Sequence, residues 1–202
     1  ISTYLRSLVK NLDHKFIIYG PSWIEGDDAY PAEDTFIINP RKVFEDIQKI
    51  VNDNQIDTIL HGSSNPNFLF VNKLNTLNVP NSPKNVKIPQ YMICHGAEFN
   101  VLNYIPIVRN LLSRNLDNLN TIFTVSEFSR KKLSDITDTE IINIGAGIEI
   151  PNYENNYENN VPLTIGVVSR LVSRKKISWL IDVAHDLKAV SYTHLTLPTR
   201  LP

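Results

Sequence analysis

The sequence predicts an α/β fold, in which a mostly parallel sheet carries helices on both faces. Short apolar runs alternate with longer amphipathic stretches, and this is the pattern of repeated strand–helix–strand units. The apolar runs are mostly unbroken by polar residues, as expected for strands that are buried on both faces. Of the 202 residues, 42% are hydrophobic and 20% are charged, which is typical of a soluble globular protein.

The elements follow one another in a regular order. Apolar residues at helical spacing predict helices over 4–12, 43–51, 68–77, 105–112 and 126–133. Apolar runs between them predict strands at 16–19, 36–38, 58–60, 91–94, 121–125 and 141–144. Ser126 is placed to cap the helix that follows it. Because the series opens with a helix, we expect a first strand and its loop upstream of Ile1.

The character of the chain changes after Ile150. Residues 151–162 contain a duplicated Tyr-Glu-Asn-Asn and few aliphatic residues, which indicates a linker. A fresh apolar run at 163–168 predicts a buried strand, and apolar residues at helical spacing predict a helix over 177–187. We therefore predict a first domain over 1–150 and the start of a second domain over 163–189.

The last segment, 190–202, does not continue either pattern. Its string Val-Ser-Tyr-Thr-His-Leu-Thr-Leu-Pro-Thr at 190–199 resembles one reading frame of a transposon-end adapter used in DNA library preparation. A translated adapter carries no information about the fold. We predict that residues 190–202 are not natural protein sequence, and that Tyr192 and His194 have no functional role.

The net charge and the cysteine content limit the kinds of partner and the cellular compartment that the sequence predicts. Twenty basic and twenty-one acidic residues leave a net charge of −1, which predicts no general affinity for nucleic acid. The single cysteine, Cys94, cannot form an internal disulfide, and no apolar run is long enough to span a membrane. These features predict a cytoplasmic protein. Cys94 lies in an apolar strand, so we interpret it as a core residue rather than a nucleophile.

Residues that can carry chemistry follow the predicted strands. His95 and Gly96 come directly after the strand at 91–94, and ligands of parallel sheets bind at the carboxyl ends of the strands. His61 and Gly62 form the same dipeptide one strand earlier, where we favour a structural role. Ser126 is better explained as a helix cap than as a nucleophile.

A basic cluster lies between the last predicted strand and the last helix. Arg170 and Lys175 flank a helix start predicted near Ser173. The N-terminus of a helix favours anions, so these two cations could clamp a diphosphate there. On spacing alone, a solvated basic run at an ordinary helix start is an equal alternative.

Several stretches, in one order along the chain, resemble retaining glycosyltransferases of family 4 (glycosyl transferases group 1). They are residues 1–8, 94–98, 124–128, 145–149 and 169–175. Residues 1–8 are similar to the family's first helix, and residues 94–98 to its strand-end His-Gly motif. Residues 124–128 are similar to its Thr-Val-Ser segment, and residues 145–149 to its Asn-Gly-Val-Asp turn. Residues 169–175 are similar to its Gly-Arg-Leu…Lys-Gly loop. Both glycines of the last motif are replaced here, and Ala146 and Glu149 replace the Asn and Asp of the turn.

This resemblance implies the two-domain GT-B architecture, with a Rossmann-like acceptor-side domain followed by a donor-binding domain. It implies transfer of a sugar, with retention, from a nucleotide-diphosphate sugar to an acceptor saccharide or lipid-linked glycan. Arg170 and Lys175 would hold the donor diphosphate without a metal or other cofactor, and His95 would contact the transferred sugar. The resemblance further implies that the cleft is lined by Gly96, Glu98, Ser126 and Gly147.

The resemblance also sets expectations about the rest of the protein. The family's pair of glutamates, eight positions apart, lies beyond the end of this chain, so we expect the chain alone to be inactive. Peripheral membrane contact occurs in the family, although no helix here is basic enough to argue for it. Three alternatives stay open: a non-catalytic glycan- or acceptor-binding domain of the same fold, a nucleotide-sugar epimerase, and an oxidoreductase. The oxidoreductase needs a Gly-x-Gly-x-x-Gly motif, which residues 1–202 do not contain.

Overall fold

The structure, a computed structural model, describes most of the chain as two units. The described residues are 2–21, 28–32, 39–64, 66–96, 106–147, 167–169 and 172–188. The units are Ile1–Pro151 and Asn152–Pro202. Several predicted features lie outside the described residues, namely the strand at 36–38, the linker at 151–162, the tail at 190–202, Glu98 and Arg170.

Helices and strands alternate along the first unit. The helices are α1 Ser2–Asn11, α2 Pro40–Asp53, α3 Val71–Leu74, α4 Pro106–Leu116 and α5 Glu127–Ser134. The strands are β1 Ile18–Gly20, β2 Ala29–Pro31, β3 Ile59–His61, β4 Gln90–Cys94, β5 Thr121–Thr124 and β6 Ile141–Asn143. The helix predicted over 68–77 is a 3₁₀ turn, Asn67–Phe70, that leads into the short α3.

The central sheet has the strand order β3-β4-β5-β6, and every neighbouring pair is parallel. This confirms the predicted α/β class and the parallel sheet, which is compatible with a Rossmann-like domain. Because all four strands run in one direction, their carboxyl ends meet at one edge of the sheet. β1 and β2 form a separate parallel pair. The sequence did not predict β2, since a three-residue segment that ends in proline resembles a loop.

One face of the sheet carries the main apolar core. Met92 and Cys94 of β4 and Ile122 of β5 are fully buried against α3, α4 and α5. The helices contribute the buried side chains Val71, Leu112, Leu116 and Leu133. Cys94 has no exposed surface, which confirms the prediction that it is a core residue. A second cluster comprises Val43, Val51, Phe70, Leu74, Leu77 and Ile88.

The opposite face of the sheet is only partly covered. Ile93 is buried there, but Leu60 is 36% exposed and Ile142 is 41% exposed. Between them the half-buried rings of Tyr91 and Phe123 stack with centroids 6.1 Å apart. The prediction of strands buried on both faces therefore holds on this face at Ile93 of β4 and is wrong at Leu60 of β3 and Ile142 of β6. The physical reason is that α3, α4 and α5 all contribute their apolar residues to the face that carries Met92 and Cys94, because successive strand residues point to opposite sides.

The second unit contains a 3₁₀ turn, Ser173–Lys175, and helix α6, Ile177–Lys188. The described part of the strand predicted at 163–168 is not a strand, and Val168 is completely exposed. The prediction of a buried strand is therefore wrong for these residues, since the described part of this unit supplies no second strand to pair with them. On α6, Trp179 is 60% exposed and Val183 is 52% exposed.

A substitution in α4 tests the position of the core. Leu116 is fully buried, so Leu116→Ala should leave a cavity and lower the free energy of unfolding by about 2–5 kcal/mol. Leu111, on the same helix, is 45% exposed, and Leu111→Ala should change it by only about 0.5 kcal/mol. Urea unfolding measures both values. Equal effects of the two substitutions would show that the face of α4 is assigned wrongly.

Candidate functional site

The candidate site lies at the edge of the sheet where the parallel strands end. The chain leaves β3 at Gly62, leaves β4 at His95 and Gly96, and leaves β5 toward Ser126. Two contacts join these exits: His95 lies against Gly62, and Gly96 lies against the first turn of α5. The structure therefore brings together three of the predicted site residues, His95, Gly96 and Ser126, at one edge.

The half-buried ring of His95 is held from two directions. Its Nε2 lies 3.2 Å from the carbonyl oxygen of Gly62. The ring of Tyr4, on α1, meets it edge to face, with centroids 5.8 Å apart and planes at 85°. An imidazole held in this way, between a backbone acceptor and an aromatic ring, has a defined orientation at the strand ends.

Gly96 and Ser129 form a close contact between the exit of β4 and α5. Gly96 has a φ of +89°, and a Cβ at this position would overlap Oγ of Ser129. Oγ of Ser126 accepts a hydrogen bond from the backbone N–H of Ser129 at 3.2 Å and lies 2.9 Å from its Oγ. This confirms Ser126 as the N-cap of α5. Its hydroxyl is committed to the helix end, while Gly96 lets that helix approach β4.

The surface of α5 carries an ion pair. Glu127 and Arg130 are joined by hydrogen bonds of 2.6–3.0 Å. The hydrogen bond from Arg130, together with the positive charge of Arg130, lowers the pKa of the exposed Glu127 carboxyl. The same hydrogen bond and the negative charge of Glu127 raise the pKa of Arg130. Exposed pairs of this kind contribute little to stability. Glu127 places a carboxylate in the first turn of α5, and this negative charge does not favour an anionic ligand there.

His61 is buried inside the sheet beside the site. It is 7% exposed, and its Nε2 lies 3.0 Å from Oε1 of Gln90. Burial lowers the pKa of His61, and the hydrogen bond to Gln90 opposes this only in part. The ring is therefore neutral at neutral pH and is not presented to a ligand.

The other predicted site residues are more dispersed. Gly147 is exposed, with open space around the position of a Cβ. Lys175 is exposed in the second unit, at the end of the 3₁₀ turn. The helix predicted to begin near Ser173 is a 3₁₀ turn, Ser173–Lys175, and α6 begins only at Ile177 because Lys176 adopts a left-handed φ of 49°. Lys175 therefore precedes the helix instead of lying in its first turn.

Sequence reasoning missed three residues that build the site, namely Tyr4, Gly62 and Ser129. Tyr4 belongs to the apolar stripe of α1, and Ser129 follows its cap by one turn, so each has an ordinary local explanation. Gly62 stands in the His-Gly dipeptide that repeats at His95, and this repetition is the signal by which it could have been found.

Comparisons with protein-family models, curated proteins and solved structures find no significant match to this chain. Within the described ranges, no group of three or more His, Cys, Asp or Glu side chains is arranged to hold a metal ion. None of the helices described in the structure combines the length and apolar character needed to cross a bilayer. The fold and the site thus define an α/β protein with a histidine at the carboxyl edge of a parallel sheet.

The contact between Gly96 and Ser129 predicts a selective effect of an added methyl group. Gly96→Ala should lower the free energy of unfolding by about 1–3 kcal/mol, because alanine is strained at a positive φ and its Cβ would overlap Ser129. Gly147→Ala is the matched control and should change it by no more than about 0.5 kcal/mol, since its Cβ meets nothing. Chemical denaturation of the two variants measures the difference. A Gly96→Ala protein as stable as its control would contradict the close contact.

The burial of His61 predicts an acid-dependent stability. Because its folded-state pKa is lower than the ordinary value of 6.5, the unfolded chain binds a proton that the folded chain does not as the pH falls through 6.5. The contribution of His61 to the free energy of unfolding is therefore complete above pH 6.5 and is lost progressively below it. His61→Gln should remove this part of the pH dependence in thermal unfolding.

The exposed His14 supplies the control for this experiment. His14→Gln should keep the wild-type slope of melting temperature against pH, because the substitution lies at the surface and changes no buried group. If the His61→Gln protein retains the full wild-type slope of melting temperature against pH, the acid-dependent stability does not come from His61.

Proposed function

We propose that the chain is the acceptor-side part of a glycosyltransferase that moves a sugar, with retention, from a nucleotide-diphosphate sugar to an acceptor. The observation that carries the proposal is the half-buried, oriented imidazole of His95 at the carboxyl edge of a wholly parallel four-stranded sheet. Ligands of open α/β sheets bind at this edge. The resemblance of residues 94–98 to the family's strand-end His-Gly motif supplies the substrate class.

In this proposal, His95 contacts the sugar as it leaves the nucleotide. The reaction passes through a positively charged, oxocarbenium-like sugar, and negative charge grows on the departing diphosphate. An imidazole in fixed orientation lowers the barrier if it interacts more strongly with the transition state than with the bound donor. Arg170 and Lys175 are assigned to the diphosphate, where their positive charge replaces the role of a metal ion.

In this proposal, the acceptor binds to the first unit. An acceptor saccharide or a lipid-linked glycan would approach the same edge of the sheet as His95, next to Gly96. The net charge of −1 supports neither a nucleic-acid partner nor strong attraction to anionic lipid. The single cysteine, Cys94, is buried in the core, which suits a cytoplasmic site of action.

A test of this function begins with the source DNA. Sequencing across the codon for residue 189 should reveal a reading frame that continues into a domain with two glutamates eight positions apart. The protein encoded by that frame should then transfer sugar from at least one nucleotide-diphosphate sugar to an acceptor, with the anomeric configuration kept. His95→Ala should lower kcat by about 100-fold or more, and His14→Ala, at an exposed position, should leave kcat unchanged.

Other results would favour the alternatives. Saccharide binding without transfer would favour a non-catalytic glycan-binding domain. Conversion of the nucleotide sugar to its epimer without an acceptor would favour an epimerase. A frame that lacks the pair of glutamates would remove the catalytic interpretation altogether.

A further inference from the structure

The His61 side chain is tied to a polar group inside the sheet. Its Nε2 lies 3.0 Å from Oε1 of Gln90, and Gln90 itself is fully buried. Nε2 of Gln90 donates hydrogen bonds to Oδ1 of Asn75 at 2.7 Å and to the carbonyl oxygen of Val71 at 3.1 Å. These two acceptors turn the amide nitrogen of Gln90 toward α3, so Oε1 is the atom that faces His61. The hydrogen in the bond between the two residues is therefore carried by Nε2 of His61.

Gln90 is a rigid anchor because its backbone is fixed as well. Its N–H donates to Oδ1 of Asn120 at 2.8 Å, and its carbonyl oxygen accepts from the N–H of Asn120 at 2.8 Å. A rotation of the Gln90 side chain would leave several buried polar atoms without partners, which is energetically costly. The position of the His61 ring is thus set by the amino end of β4.

Gly62 links this anchor to the candidate site. It follows His61 directly, and its carbonyl oxygen accepts the hydrogen bond from Nε2 of His95 at 3.2 Å. Gly62 lies close to α1, since a Cβ there would lie 2.6 Å from Cδ1 of Leu5, and the end of that side chain would have to move. Gly62 therefore follows the anchored His61 directly in the chain and lies against α1.

The carbonyl of Gly62 also decides which nitrogen of His95 is protonated. A carbonyl oxygen only accepts hydrogen bonds, so Nε2 of His95 carries the hydrogen, and Nδ1 carries the lone pair in the neutral ring. Tyr4 meets the same ring at 85° and restricts its rotation. An outer group that orients a functional histidine in this way also fixes its tautomer.

We propose that His61 and Gln90 form a positioning pair, which holds the Gly62 carbonyl and thereby fixes the ring orientation and the Nε2–H tautomer of His95. The significance of this pair rests on the proposed function, in which His95 contacts the transferred sugar. His61 and Gln90 do not touch the substrate in this scheme. They act through Gly62, and they determine which ring nitrogen of His95 carries the hydrogen.

NMR spectra of the 202-residue chain, labelled with ¹⁵N-histidine, report the tautomer of each histidine. With His95→Gln used for assignment, the wild-type spectrum should show neutral His95 in the Nε2–H form. His61→Leu removes the donor to Gln90 and should cause loss of this single-tautomer pattern. His61→Gln can still donate to Gln90 and should retain it. If His61→Leu does not fold, Gln90→Met removes the acceptor instead and should cause the same loss.

The outcomes separate this inference from the proposed function. A wild-type His95 in the Nδ1–H form overturns the positioning pair without any variant. A folded His61→Leu chain with the wild-type His95 pattern also overturns it, because Gly62 and Tyr4 would then be sufficient. The spectra need no substrate, so a chain that shows the expected loss supports the pair even if the longer protein transfers no sugar. In that case only the proposed function fails.

Discussion

Strand β4 is bonded to a parallel neighbour on each side, and the rest of the first unit depends on this pairing. Parallel neighbours cannot be joined by a tight hairpin, so the chain crosses through helical segments before each return. Those crossings place α3, α4 and α5 together against Met92 and Cys94. They also align the strand exits, which places His95 and Gly62 side by side. The core and the candidate site are therefore two consequences of one strand direction.

The two ends of β4 have different roles. At its amino end, Gln90 is fully buried, and both its side chain and its backbone make hydrogen bonds to other groups of the protein. At its carboxyl end, His95 is half-buried and lies in the loop beyond the strand. Polar groups at the first end are satisfied internally, whereas the second end lies at the edge where ligands of open parallel sheets bind. His61 connects the ends, since it bonds to Gln90 and precedes the residue that bonds to His95.

The features that could be predicted from sequence are those that depend on residues close together along the chain. The period of apolar side chains was sufficient for α2, and the cap at Ser126 was predicted because a cap and its partner lie three residues apart. The strand predicted at 163–168 failed at Val168, because a strand exists only with a partner and the sequence pattern describes one segment at a time. The contacts of His95 with Tyr4 and with Gly62 join distant segments, so the sequence placed His95 at the strand end but did not indicate what holds it.

The close approach of Gly96 to Ser129 also has an evolutionary consequence. A side chain at 96 would overlap the hydroxyl of Ser129, which would have to turn away from its place beside the cap of α5. Even after such a rotation, the positive φ would favour only glycine, asparagine or aspartate at 96. The constraint acts in one direction, since glycine at 96 tolerates the loss of the hydroxyl at 129, whereas a side chain at 96 meets that hydroxyl. In any lineage that descends from this sequence, position 129 should therefore vary more readily than position 96.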